Sequence, residues 1–302
     1  MGPVNVGLDI GATKTLGVVV DADGRVLAQE RLATAPGAEG IVATAVGVVE
    51  ALAAAAGAVT AVGVGVPGLV DVERGALAHA VNLGVDGEWL PLGDLLASRL
   101  GVPVSLENDV NAAALGAVAL TGVDDLVYLS IGTGLAAGLV LDGRLRRGVS
   151  GAAGEIGHVP VDPAGAACQC GQRGCLETVA SGRAITDAWP SGDVPAAQAL
   201  FAAAAAGDVR AVAVRDRFAA GVADAVRVLG LSLDPGVVML GGGVAQLGEP
   251  LRAAVSSALH DQAIASPFLA SLDLAGRLRV VPVDHPVAAV GAALLGPREA
   301  VA

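Results

Sequence analysis

The chain has 302 residues, 54% of them hydrophobic and 2% aromatic, with a net charge of −12. That length holds two domains sharing a cleft or one large one. An acidic surface repels phosphate backbones and anionic lipids, which argues against nucleic-acid binding through a basic face and against docking on a membrane.

Val4 to Ile10 alternates and predicts a strand, and Thr15 to Val20 predicts a second. Asp21-Ala22-Asp23-Gly24 reads as a tight turn and Val26 to Arg31 as a third strand, so the chain opens on an antiparallel meander. Met1 to Val6 has no basic cluster, and Asp9 interrupts any apolar core, so no signal peptide is expected and the cytoplasm is the expected compartment. Ala38 to Ala56 is Ala-rich and predicts a helix. The uncharged run from Ala51 to Val70 is long enough to cross a bilayer. It is broken by Gly57, Gly63, Gly65, Pro67 and Gly68 and changes period midway. That reads as a helix end, a turn and a buried strand over Ala61 to Val66. Pro91 to Leu100 predicts a short helix, Val102 to Glu107 a strand, and Asn108 to Leu120 a helix.

The pattern then restarts. Asp125 to Ile131 and Leu135 to Leu141 predict strands, with a hairpin turn at Asp142-Gly143 into Arg144 to Gly148. Gly151 to Cys175 is irregular, rich in Gly and Cys. Helices are expected over Val179 to Ala188, Pro195 to Ala206, Val209 to Leu229 and Val287 to Leu295, and strands over Val237 to Leu240 and Leu278 to Val283. Meander, helix, strand, helix occurs twice, which predicts two similar α/β domains facing each other across a cleft that takes a nucleotide.

Scarce residues pick out candidate chemistry. Among 18 Lys plus Arg only Lys14 is lysine, and Asn occurs only at Asn5, Asn82, Asn108 and Asn111. Lys14 closes Asp9-Ile10-Gly11-Ala12-Thr13-Lys14, on the turn after the first strand. Gly11 admits an oxyanion close to the backbone, Thr13 offers a hydroxyl and an amide, Lys14 a cation, and Asp9 a carboxylate for hydrated Mg²⁺. Phosphoryl transfer needs these groups, although a hairpin turn with incidental charges would read the same way. Ile131-Gly132-Thr133-Gly134 occupies the equivalent turn of the second meander, and two such turns at matching places say more than either alone.

Glu107-Asn108-Asp109 falls where a strand ends and a helix begins. Asp109 there is either a structural N-cap or a base aimed at a substrate hydroxyl, with Asn108 on a neighbouring hydroxyl. The three cysteines, Cys168, Cys170 and Cys175, follow Glu155-Ile156-Gly157-His158. An odd, clustered set points to metal before disulfide, and His158 with three thiolates makes a closed Cys₃His zinc site of structural type. Such a loop would aim His158, Glu155 and Glu177 at a polyol. Gly241-Gly242-Gly243 after a strand reads as backbone for an adenosine or as a tight strand–helix turn.

This set resembles the ROK family of bacterial sugar kinases and repressors, within the actin-like, hexokinase-like (ribonuclease H-like) ATPase fold, and most of all its zinc-containing glucokinases. The motifs run through nearly the whole chain: DIGATKT, GVPGLVD from Gly65 to Asp71, ENDVNAAALG from Glu107, GTGLAAG from Gly132, EIGH, CQCGQRGCLE and LGGGV. The resemblance implies an α/β domain over about 1–118 and a larger one over about 119–302, whose last helix, about 286–302, is a candidate to pack back on the first. It implies transfer of the ATP phosphoryl group to the 6-hydroxyl of a hexose, glucose first, with Asp109 as base. Gly65, Asn82, Asn108, Glu155, His158 and Glu177 would bind the sugar. Gly11, Thr13, Lys14, Gly132, Thr133 and Gly134 would hold phosphates, Asp9 would face Mg²⁺, and Gly241, Gly242 and Gly243 would line the adenosine. His158, Cys168, Cys170 and Cys175 would bind Zn²⁺, in a homodimer or homotetramer.

Another hexose (mannose, N-acetylglucosamine or fructose), a polyphosphate donor, or a weakly catalytic sugar sensor fits the same motifs. A repressor would need a DNA-binding domain ahead of the first strand, which begins by Val4. The chain departs from the family pattern at Ala136 and Ala137, where glycines are usual, at Ala12 and Ala117, and in the short stretch from Arg183 to Val209. If Ala136 or Ala137 needs a positive φ, the methyl costs about 1 kcal/mol or more.

Overall fold

The computed structural model describes residues 4–21 and 24–296, which divide into two compact units. Unit 1 takes the residues up to 123, then 143–151 and those from 286; unit 2 takes 124–142 and 152–285.

In unit 1 the meander β1 (Val4–Ile10), β2 (Lys14–Val20) and β3 (Val26–Ala33) leads into helix α1 (Gly37–Ala56). Strand β4 (Val59–Val66) follows, then a small hairpin of β5 (Leu69–Asp71) and β6 (Ala76–Ala78) that the sequence reading did not anticipate. Helix α2 (Leu92–Leu100), strand β7 (Val104–Asn108) and helix α3 (Asp109–Thr121) complete the first pass. The sheet order is β3-β2-β1-β4-β7, with β4 parallel to β1 and β7 parallel to β4. Ala22 and Asp23 of the expected Asp21–Gly24 turn lie outside the described residues.

The alternation of β1 sorts its side chains onto two faces. Val6, Leu8 and Ile10 are buried in the core that also holds Ile41, Val48 and Leu52 of α1 and Leu92 and Leu96 of α2. Helix α1 is long and apolar enough to cross a membrane by length and composition, but here Ile41, Val42, Ala45, Val48, Val49 and Leu52 are buried in this core. On the other face the closing helix α10 (Val287–Ala293) lies directly on the sheet and on α3. Its approach is set by glycine. A Cβ on Gly7 would run into the Ala289 carbonyl, one on Gly63 into that of Ala292, and one on Gly116 into that of Val287. From α10 itself, a Cβ on Gly291 would strike the Ala112 carbonyl. Ala117, where the family pattern has a longer residue, is fully buried on α3.

Unit 2 repeats the sheet plan. β8 (Leu126–Ile131) and β9 (Leu135–Leu141) form an antiparallel hairpin, and the order β9-β8-β11-β12 matches β2-β1-β4-β7, with β11 parallel to both β8 and β12. After β9 the chain passes through β10, which is only Arg144–Leu145 and not the longer strand to Gly148 that was expected. Helices α4 (Gly182–Ala188), α5 (Ala196–Ala205) and α6 (Val209–Leu233) precede β11 (Val237–Gly241). The predicted helix from Val179 begins at Gly182, because the Ser181 hydroxyl caps it by accepting the Ala184 N–H at 3.1 Å. Helices α7 (Glu249–Ala263), α8 (Pro267–Leu272) and α9 (Leu274–Arg277), none of them anticipated, come before β12 (Leu278–Val280).

Candidate functional site

Unit 1 holds the first phosphate-type turn and the candidate base. Between β1 and β2 the Gly11 N–H donates to the Lys14 carbonyl at 2.9 Å, and the Thr34 N–H to the Thr13 carbonyl at 3.2 Å. Ala12, Thr13 and Lys14 are exposed, and none of the turn's non-glycine residues has a positive φ, so Ala12 carries no backbone strain. Asp9, two residues after Gly7, shares the sheet face on which α3 and α10 lie.

The N-cap of α3 is Asn108, which corrects the reading that would give Asp109 that structural task. The Asn108 side-chain oxygen accepts the Val110 N–H at 3.0 Å and the Asn111 N–H at 3.4 Å, while its amide donates to the Gly68 carbonyl at 3.4 Å. Asp109 therefore stands at the first helical position, half-buried, and one carboxylate oxygen accepts the Val110 N–H at 2.9 Å. Gly65 is buried where the start of α3 crosses β4: a Cβ there would lie 3.2 Å from Ala112 Cβ and 3.6 Å from Asp109 Cα. Asn82 is exposed in the single turn Val81–Leu83.

The two carboxylates sense each other. Burial pushes the Asp9 carboxyl up to about 6, Asp109's charge pushes the same way, and Lys14 opposes. Asp109 is also raised, mainly by burial, against the Val110 N–H that favours its charged form.

Two residues before Asp109, in β7, lies a residue that motif reading left without a role. The Glu107 side chain is only 1% exposed. One of its oxygens accepts the Asn108 N–H at 2.9 Å and the Asn111 side-chain amide at 3.0 Å. The other accepts the Arg147 Nε–H at 2.7 Å, and Arg147 Nη2 forms an ion pair with the same oxygen at 2.7 Å. Arg147 is one arginine among many, and nothing local in the sequence marks it.

Unit 2 holds the second turn. The Gly132 N–H donates to the Gly134 carbonyl at 3.1 Å, a tighter closure than the Gly11 bond to Lys14. Gly182 and Arg183, at the start of α4, donate their N–H groups to the Gly132 and Thr133 carbonyls at 2.8 and 3.3 Å. Glu177 braces the same turn: it accepts the Leu135 N–H at 3.1 Å, and a Cβ on Gly134 would strike it. Ala136 and Ala137 lie inside β9 without positive φ, so the strain that a positive φ would impose does not arise. The final glycines sit beside the chain's one tyrosine: the Gly242 N–H donates to the Tyr128 hydroxyl at 3.2 Å, and Gly242 has φ +81°. A cavity of about 570 Å³ brings Gly132, Thr133 and Gly243 together with Arg183, Thr186 and Asp187, three residues that sequence reading missed. They come from α4, which only the fold carries to the turn.

The loop after β9 assembles the four expected metal ligands. The His158, Cys168, Cys170 and Cys175 ligand atoms all lie within 4.8 Å of one another. Cys170 and Cys175 sulfurs are 3.7 Å apart, and Cys168 sulfur is 3.8 Å from His158 Nδ1. A tetrahedral ion with Zn–S bonds of about 2.3 Å spaces sulfurs by about 3.8 Å, so the set fits. None of the three cysteines is in a disulfide. Hydrogen bonds from Gln172 pull the Cys170 thiol down to about 6, whereas burial and neighbouring sulfurs push Cys175 up to about 12. Crowded thiols cannot all ionise by themselves, and a divalent cation removes that conflict. With Nδ1 turned to the sulfurs, His158 presents Nε2 to the Glu155 carboxylate at 3.7 Å.

Residues 5–298 match the ROK family model. A glucokinase of Thermotoga maritima is 33% identical, the match covering 91% of this chain and 96% of that protein. An N-acetylmannosamine kinase of Yersinia pseudotuberculosis is 35% identical over 78% of this chain and 82% of that one. The crystal structure of a ROK family glucokinase from Streptomyces griseus, in complex with glucose and AMPPNP, superposes with a TM-score of 0.79 at 33% identity, covering 97% of this chain and 99% of that one. With the duplicated sheet plan, both turns and the Cys₃His loop in place, the chain belongs to the ROK family.

Proposed function

We propose that the protein is an ATP-dependent hexose kinase that phosphorylates the sugar 6-hydroxyl, with glucose as its first substrate. The observation that carries this reading is the grouping of Asp9, Lys14 and Asp109 in unit 1, two mutually sensing carboxylates beside the only lysine of the chain. A base works best when its pKa lies near the working pH, and burial moves Asp109 in that direction.

In this reading Asp109 takes the proton of the attacking hydroxyl as the new oxygen–phosphorus bond forms. Asn82, Asn108, Glu155, His158 and Glu177 orient the remaining hydroxyls, and Gly65 leaves room beside Asp109. Lys14 and the amides of Gly11 and Thr13 neutralise the phosphoryl oxygens, and Asp9 holds the waters of Mg²⁺. Gly132, Thr133 and Gly134 bind the donor phosphates, with Gly241, Gly242 and Gly243 against the adenosine. Positioning and charge neutralisation supply most of the rate, with about 10²–10⁴-fold from the base. Zinc on His158, Cys168, Cys170 and Cys175 would be structural and would hold the ring of His158 toward Glu155. Three unpaired cysteines in a metal-type cluster favour a reducing compartment, so we place the reaction in the cytoplasm.

The glucokinase relatives favour glucose, and the N-acetylmannosamine kinase relative puts that sugar on the panel. An ADP-release assay with Mg-ATP against glucose, mannose, fructose, N-acetylglucosamine and N-acetylmannosamine tests the reading. Turnover with one sugar supports it and names the substrate. Sugar binding without turnover, with ATP and with polyphosphate, refutes it in favour of a sensor.

A further inference from the structure

We propose that Glu107 and Arg147 are positioning residues: the buried Glu107 carboxylate locks the first turn of α3, and Arg147 supplies the charge that keeps this carboxylate from acting against Asp109. The inference rests on the kinase reading only for its rate readout.

The geometry makes the pair more than a surface ion pair. Glu107 is 1% exposed and its two oxygens accept three hydrogen bonds, two from the residues that start α3 and one from the Arg147 guanidinium, whose Nη2 adds a second ion-pair contact. Through the Asn108 N–H and the Asn111 amide it fixes both sides of Asp109 in the chain. Exposed pairs contribute little, but a buried carboxylate stripped of its cation is left uncompensated. Arg147 is 41% exposed in its side chain and lies on the segment 143–151, which the chain enters from β9 and leaves toward Glu155 and His158. One guanidinium thus ties that connecting segment to the start of the helix that bears Asp109.

The electrostatic surroundings are sparse, which makes the pair matter. Asp109 is the only charged residue of α3, and β4 and α10, which pack on that helix, carry none. Other charged groups there include Asp9 on β1 and Lys14 on β2, Glu107 on β7, and Arg144 on β10. With Arg147 gone, Glu107 adds a net negative charge two residues from Asp109. At an effective dielectric between protein and water, that charge raises the Asp109 pKa by on the order of one unit.

The test compares the full-length protein with Arg147→Ala, Glu107→Gln and the double variant. It reads the acid limb of kcat against pH with glucose and Mg-ATP, and the titration of the Asp109 carboxyl by ¹³C NMR in the absence of substrate. The expected result is that Arg147→Ala moves both curves toward higher pH by about one unit, so that kcat falls about tenfold on the acid limb, with the KM for ATP little changed. Glu107→Gln in the same background restores the curves, because the amide keeps the acceptor for Asn108 and removes the charge. A purely structural role would instead lower melting temperature without moving either curve, and the double variant would be no better than Arg147→Ala. Unshifted curves in Arg147→Ala overturn the proposal. Loss of turnover in the unaltered chain counts against the kinase reading alone, since the NMR titration still decides the pair.

Discussion

Replacing Asp109 with Asn makes a prediction whose two halves point in opposite directions. The amide keeps an oxygen to accept the Val110 N–H, and Asn108, not Asp109, caps α3, so the local backbone has no reason to move. The base is lost, and kcat should fall about 10²–10⁴-fold with little change in sugar binding. Stability should move the other way. The Asp9 carboxyl is raised from 3.8 to about 6, a perturbation of about 3 kcal/mol in all. Burial is the larger cause and Asp109's charge the second, so Asp109 accounts for less than half of the upward push, which Lys14 partly offsets, and contributes about 1 kcal/mol after screening. Asp109→Asn should therefore raise the melting temperature by about 2–4 °C near pH 7.5. Below about pH 5 Asp9 is protonated, the repulsion is gone and the gain should vanish. Coupled ADP release and thermal unfolding at both pH values check this. A variant that keeps more than a tenth of the rate, or that loses stability equally at both pH values, refutes the reasoning.

Other consequences are as direct. Asp9 has a folded pKa above its unfolded one, so the folded chain holds its proton longer; this group's contribution to stability falls as pH rises between about 4 and 6, and below about 6 protons compete with Mg²⁺, raising the apparent Mg²⁺ requirement up to about tenfold per pH unit. Magnesium titrations of activity at several pH values would show this, and a requirement flat down to pH 5 would contradict it. Purified protein should contain about one zinc per chain by elemental analysis, and Cys175→Ser, at a fully buried ligand, should lose the metal and more than about 5 °C of melting temperature; a metal-free protein of equal stability would remove the site. Gly291→Ala should destabilise by about 3 kcal/mol, because its methyl meets the Ala112 carbonyl across the α3–α10 contact. An unchanged melting temperature would mean that α10 does not dock as closely as described.

Much of this protein is legible without coordinates because its determinants are local. The alternation of β1, the turns at Gly11 and Gly132, and the break of the apolar run at Gly57 each depend on residues a few positions apart, as does the metal loop, whose three thiolates fall within eight residues. Even α7, which the reading passed over, had its signal: Leu251, Val255 and Leu259 repeat every fourth residue behind Gly248, with Pro250 in the first turn. Other features depend on which distant segments meet. Pattern alone left Asp109 between an N-cap and a base; the cap was settled by the Asn108 side-chain oxygen, which accepts the Val110 and Asn111 N–H groups while its amide reaches the Gly68 carbonyl. That Ala136 and Ala137 carry no positive-φ strain was clear only once both were seen in extended strand. Arg147 reaches Glu107 from forty residues away, and Gly7, Gly63, Gly116 and Gly291 read as ordinary glycines until α10 returns to fill the space they leave. Sequence periodicity fixes which face a residue presents, because that follows from backbone geometry within one element; what the face meets is set by long-range packing, and only the tertiary structure decided that.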